Sequence, residues 1–93
     1  MRAIWKYLVP LMGADVEHDV RVPALFVGAV MQGGSVAAYF EVDDAWTETI
    51  KTKLRVFGTG HEIPGPQVGP YAYRHLATLA DRDFVWHLCR LGP

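Results

Sequence analysis

Apolar and polar residues alternate with a period of two along most of this chain. That is the spacing of strands, whose successive side chains leave opposite faces of a sheet. The segment "RAIWKYLV" (2–9) sets Trp5 and Tyr7 on one face and Ile4 and Leu8 on the other, and Pro10, with no N–H for the ladder, ends it. "VEHDVRV" (16–22) alternates cleanly: Val16, His18, Val20 and Val22 share one face, Glu17, Asp19 and Arg21 the other, and Pro23 is the stop. "LFVGAVM" (25–31) is a continuous apolar run, the pattern of a central strand covered on both faces. Gln32-Gly33-Gly34-Ser35 follows as a tight turn, because paired glycines reach positive φ without a Cβ clash, and "SVAAYFEV" (35–42) returns as its hairpin partner before a loop begins at Asp43-Asp44.

The most regular segment is "WTETIKTKLRVFG" (46–58), with Trp46, Ile50, Leu54 and Val56 facing inward and Thr47, Thr49, Lys51, Lys53 and Arg55 outward. A Gly/Pro-rich stretch comes next, joining the two halves of the sheet. "YAYRHLATLA" (71–80) fits a strand with Tyr71, Tyr73, His75, Ala77 and Leu79 on one face; a short helix is the competing pattern, and the strand is preferred. Asp81-Arg82-Asp83 turns the chain into "FVWHLCRL" (84–91), a largely buried last strand. Seven short strands define an all-β fold, a single domain over 1–93: a small antiparallel meander of about seven strands forming a sandwich or a partly closed barrel. Such a sheet must protect its edges, and pairing with a second copy does so, which makes a homo-oligomer the expected state.

Composition supports a core, with 51% of residues hydrophobic and 12% aromatic. A domain this small nevertheless buries only roughly 60–65% of its unfolded surface. Trp5, Tyr7, Trp46 and Trp86 are the residues expected to fill the core or a subunit interface. A formal net charge of −1 argues against bulk attraction to nucleic acid or an acidic membrane. The lone Cys89 rules out an intramolecular disulfide. The first residues lack the apolar core and cleavage site of a signal peptide, and no apolar run nears the ~20 residues that span a bilayer, so a cytoplasmic location is expected.

Chemistry concentrates at Gly58-Thr59-Gly60-His61-Glu62-Ile63-Pro64. Closely spaced glycines let amides converge on an anion. Thr59, Gly60 and His61, with Arg55 or Arg74, are therefore the candidate ligand-binding residues, and a small anionic ligand is the candidate occupant. The segment is not a P-loop, because no Lys-Ser/Thr follows and a Pro-rich loop comes next where the motif needs a helix. The plainer alternative, a strand end followed by a stiffened turn, carries more weight. Lys51, Lys53 and Arg55 form an outward basic stripe that Arg74, Tyr71 and Tyr73 would extend into a surface for single-stranded nucleic acid; a solvated, edge-protecting face is the preferred reading. His18, His61, His75 and His87 show no H-x-x-x-H spacing. His87 and Cys89 share a face that His75 would meet across a hairpin, yet a satisfied core His beside a buried thiol outweighs a zinc site, and neither metal nor cofactor is expected. No nucleophile or carboxylate-pair motif is present, so a binder is favoured over an enzyme and no catalytic residue is assigned.

Three pieces, "AIWKY", "VFGTGHEIP" and "FVWHL", resemble in order and spacing a family of small all-β proteins of bacteriophages and their actinobacterial hosts. The resemblance spans nearly the whole chain, and Gly-Thr-Gly-His-x-Ile-Pro is its most specific part. It implies a phage origin and action in the host cytoplasm, with no catalytic or binding residue carried over. Two function classes follow. One is a non-enzymatic accessory protein that binds a host protein or a small ligand such as a signalling nucleotide, sequestered by the Gly-rich loop. The other is a virion structural or decoration protein.

Overall fold

The computed structural model describes residues 1–92 other than 12, 22, 23, 44 and 46. Seven strands form: β1 (Arg2–Pro10), β2 (Val16–Arg21), β3 (Leu25–Gln32), β4 (Ser35–Asp43), β5 (Thr49–Gly58), β6 (Tyr73–Asp81) and β7 (Phe84–Leu91). They sort into a three-stranded sheet, order β1-β4-β3, and a four-stranded sheet, order β2-β5-β7-β6, with every pairing antiparallel. The all-β expectation holds, and its sandwich form is the one realised. The ambiguous 71–80 segment is a strand, beginning at Tyr73, with Tyr71 in the preceding turn. The places expected of Val22, Pro23 and Trp46 lie outside the described residues.

Alternation puts the core between the sheets. Tyr7, Val9, Val36, Ala38, Phe40 and Val42 enter from the first sheet; Val20, Leu54, Val56, Leu79 and Leu88 enter from the second. Phe40 sits at the centre, edge-on to Tyr7 (ring centroids 5.8 Å apart) and to Phe26 (5.5 Å). Thr52 is buried on the same inner face, and Ile50, at the end of the β2 pairing, is left exposed. Trp5 is 37% exposed rather than buried, because its edge-strand position leaves one side open, and the Arg21 guanidinium lies 5.0 Å from its ring centroid.

Three expectations need correction. The apolar run of β3 is an edge strand, not a central one: it pairs only with β4, and Leu25, Val27 and Val30 are exposed. Continuous hydrophobicity there reflects one face in the core and an apolar outer face, with a register shift between Phe26 and Gly28. In β6 a shift between His75 and Ala77 inserts an extra residue, so Tyr73 and His75 face outward while Ala77 and Leu79 face the core. The Gly/Pro-rich segment joins β5 to β6 within one sheet, and β7 lies between them. It is a crossover, but not one linking two halves of the sandwich.

Two-residue turns close both hairpins. Gly33 takes φ +59°, which glycine adopts without strain, whereas Arg82 occupies the same region at φ 56° between Asp81 and Phe84.

Candidate functional site

Strand β5 ends where its pairing with β7 ends, at Gly58 opposite Trp86. The chain then turns back on itself: the His61 amide donates to the Gly58 carbonyl (3.0 Å), and the Gly58 amide donates to His61 Nδ1 (3.3 Å). The imidazole therefore lies flat against Gly58, where an added Cβ would sit 2.9 Å from His61 Cε1. Accepting at Nδ1 assigns the ring proton to Nε2, the edge away from the backbone.

Thr59 is tied to β7 by its amide, which donates to the Val85 carbonyl (3.1 Å), and by its hydroxyl, 3.2 Å from the same oxygen. Its Oγ1 also lies 2.9 Å from His87 Nε2. Beyond His87 the contacts continue to His75 Nε2 (3.2 Å from His87 Nδ1) and Thr78 Oγ1 (3.0 Å from His75 Nε2, 3.3 Å from His87 Nδ1). One consistent assignment runs as a chain: His75 Nε2–H donates to Thr78 Oγ1, Thr78 donates to His87 Nδ1, His87 Nε2–H donates to Thr59 Oγ1, and Thr59 donates to Val85 O. With its proton spent on a main-chain carbonyl, the Thr59 hydroxyl has no base to activate it, and the four side chains act as a clasp holding the turn to β7.

Below this clasp is a cleft of about 370 Å³ lined by Gly58, Thr59, His61, Asp83, Phe84, Val85 and Trp86. Phe84 and Trp86, two apart on β7, stack with centroids 6.1 Å apart and planes at 30°, and Phe84 is 65% exposed. Trp86 Nε1 is shut off from solvent without an acceptor. A flat apolar wall thus stands beside a carboxylate (Asp83) and an imidazole N–H (His61). No Lys or Arg lines the cleft among the described residues.

The structure brings Thr59 and His61 together here. Gly60, at φ +89°, makes the turn between them without lining the cleft. Arg55 is elsewhere, its Cζ 4.8 Å from the Phe57 centroid on the outer face of the four-stranded sheet. There Tyr73, whose hydroxyl donates to Asp15 (2.5 Å), is held above its ordinary pKa by burial first and that acceptor second, with Arg55 opposing. Arg74 lies opposite Arg90 on the inner face, lining a separate cavity of about 400 Å³ with Gly69, Pro70 and Gly92. Arg74 therefore does not extend the basic stripe. The stripe itself is offset by β2: Lys51 Nζ is 3.3 Å from both Glu17 and Asp19, which raises its pKa.

His75 and His87 meet, but Cys89 is buried, its thiol pushed up by burial, and no three His, Cys, Asp or Glu side chains converge among the described residues. Asp83, Phe84 and Trp86 were not among the sequence-level candidates. The available signal was that two of the three distinctive pieces, Gly-Thr-Gly-His and Phe-Val-Trp-His, end at the same corner.

Against known proteins, a family model described as Domain of unknown function (DUF7352) matches residues 1–92. No curated protein and no solved structure matches the chain. No helix is long and apolar enough to cross a membrane among the described residues.

Proposed function

We propose that this chain, which belongs to the DUF7352 family of unknown function, is a non-enzymatic binding protein whose corner cleft holds a small ligand with a planar, nitrogen-bearing ring of the nucleobase type. The observation that carries the reading is the exposed Phe84 stacked on Trp86 beside Asp83 and His61. An aromatic wall takes any ring face, worth roughly 1–3 kcal/mol per stacked base. A carboxylate acceptor and an imidazole donor at its rim select ring edges that carry N–H groups and lone pairs. The cleft volume falls within the range of small-molecule sites, about 300–1,000 Å³. A nucleotide would keep its phosphates outside, since no Lys or Arg lines the cleft among the described residues.

Calorimetric titration with the four common nucleosides and their 5′-monophosphates tests this. At least one is expected to bind with one site per chain, and Phe84→Ala is expected to weaken it about tenfold or more with the melting temperature nearly unchanged, because Phe84 is exposed. Silence of all eight at millimolar concentration would end the nucleobase reading.

A second reading, assembly of copies, is favoured by the outer face of the three-stranded sheet. Exposed Leu8 and Val30 flank Ala37 there, and exposed Ile4 and Leu25 flank Glu41 four residues along β4. Three strands of about nine residues present roughly 400 Å² per copy, below what a permanent dimer buries, so weak self-association is expected. Sedimentation velocity should show concentration-dependent dimers that Val30→Glu abolishes. The resemblance to phage proteins supports a phage origin and host-cytoplasmic action; stoichiometric abundance in purified virions would replace that accessory role with a structural one.

A further inference from the structure

Strand β6 carries an extra residue against β7 between His75 and Ala77. Leu76 and Ala77 both pack toward the core, so His75 and Thr78 emerge on the same outer face. On a regular strand, residues three apart leave opposite faces; re-aiming a side chain is what a bulge does. Thr78 is the registered partner of His87, and His75 stands opposite Cys89, the next outward residue of β7.

Three polar atoms meet there in a triangle. His75 Nε2 is 3.2 Å from His87 Nδ1, and Thr78 Oγ1 is 3.0 Å from the first and 3.3 Å from the second. Two ligand atoms each about 2.0–2.1 Å from a tetrahedral zinc ion stand about 3.3–3.4 Å apart. The triangle therefore has close to the dimensions of one face of such a coordination shell. The hydrogen-bond chain through Thr78 leaves the nitrogen–nitrogen contact with no proton of its own. Moving the His75 proton to Nδ1 makes both nitrogens lone pairs available to one cation. His87 is also braced as a metal-ligating imidazole is: its Nε2–H donates to Thr59 Oγ1 (2.9 Å), and Thr59 donates to the Val85 carbonyl (3.2 Å). That brace keeps the His87 lone pair on Nδ1, facing His75. His75 and Thr78 are exposed and His87 is half-buried, so an ion and its waters reach the triangle from solvent.

We infer that His75 Nε2, His87 Nδ1 and Thr78 Oγ1 form a binding site for a divalent cation of the zinc class on the outer face of the four-stranded sheet. No third His, Cys, Asp or Glu joins the two imidazoles among the described residues. Water completes the shell, which makes the ion exchangeable and not a structural one. Imidazole nitrogen favours zinc, copper or nickel over magnesium and calcium, which take oxygen ligands. The site stands apart from the nucleobase reading, since none of these three side chains lines the corner cleft.

The test titrates Zn²⁺ into the metal-free full chain by calorimetry. One ion per chain is expected, with no binding of Mg²⁺. His75→Gln, at an exposed position, should weaken Zn²⁺ binding at least tenfold while the fold is retained. Thr59→Val, which keeps every ligand but removes the brace on His87, should weaken it about tenfold or more. His18→Gln, on β2 at the far edge of the same sheet, should leave it unchanged. Imidazole nitrogen NMR of the unsubstituted chain gives a second readout: Zn²⁺ should shift His75 at Nε2 and His87 at Nδ1. Absence of binding at millimolar Zn²⁺, or full binding by His75→Gln, would overturn the assignment. Shifts confined to His18 or His61 would show adventitious binding only and overturn it as well.

Discussion

Phe40→Ala is expected to cost about 3–5 kcal/mol, the largest loss of any single substitution in this fold. Phe40 is 0% exposed and is touched from three sides, by Tyr7 on β1, Phe26 on β3 and the Arg90 guanidinium from the opposite sheet. Truncation leaves a ring-sized void that strands already in register cannot close, and it strips the apolar cover from a half-buried cation. Native domains are stable by only about 5–15 kcal/mol, and one this small sits toward the low end. The variant should therefore unfold at a much lower urea concentration, or not fold at 37 °C. Urea denaturation followed by far-UV circular dichroism measures this, and a loss below about 1 kcal/mol would mean that the sheets do not pack through this ring.

The second large effect is on binding. Gly58→Ala is expected to weaken the corner-cleft ligand about as much as His61→Ala, roughly 10–100-fold if one hydrogen bond to the ligand is lost. The new Cβ would stand 2.9 Å from the His61 ring, which is exposed and can swing outward at little cost. The hydrogen bond from the Gly58 amide to Nδ1 breaks, and Nε2–H no longer points along the cleft rim. Stability should barely change, because the methyl meets only that side chain. Thermal melts alongside titration with the best-binding nucleoside separate the outcomes. Weakened binding with an unchanged melting temperature supports His61 as a positioned donor. A drop of many degrees in both variants, with no separable binding defect, would make the turn purely structural.

The strands and both hairpins were legible from the period-two pattern and from the turn residues Gly33-Gly34 and Asp81-Arg82-Asp83. Thr59 and His61 were legible as candidates because a Gly-x-Gly stretch is locally unusual. What was missed had no local mark. Phe84 and Trp86 look like ordinary apolar strand residues until Gly58, with no side chain of its own, is set opposite Trp86. Leu25, Val27 and Val30 read as doubly covered because hydropathy does not reveal which strand ends a sheet. Arg74 was grouped with Arg55, Tyr71 and Tyr73 by residue type alone, whereas the register sets it opposite Arg90 on the inner face.

Alternation along a strand depends on neighbours one and two residues away, so the sequence by itself determined that this is an all-β chain, where its strands run and which of their faces are apolar. Strand order, the edge position of β3, the meeting of Thr59 with His87 and the pairing of Arg74 with Arg90 depend on contacts between residues 16 to 28 positions apart or more. Only the tertiary structure decided them, because each follows from how two sheets close over one core and not from any preference of the residues themselves.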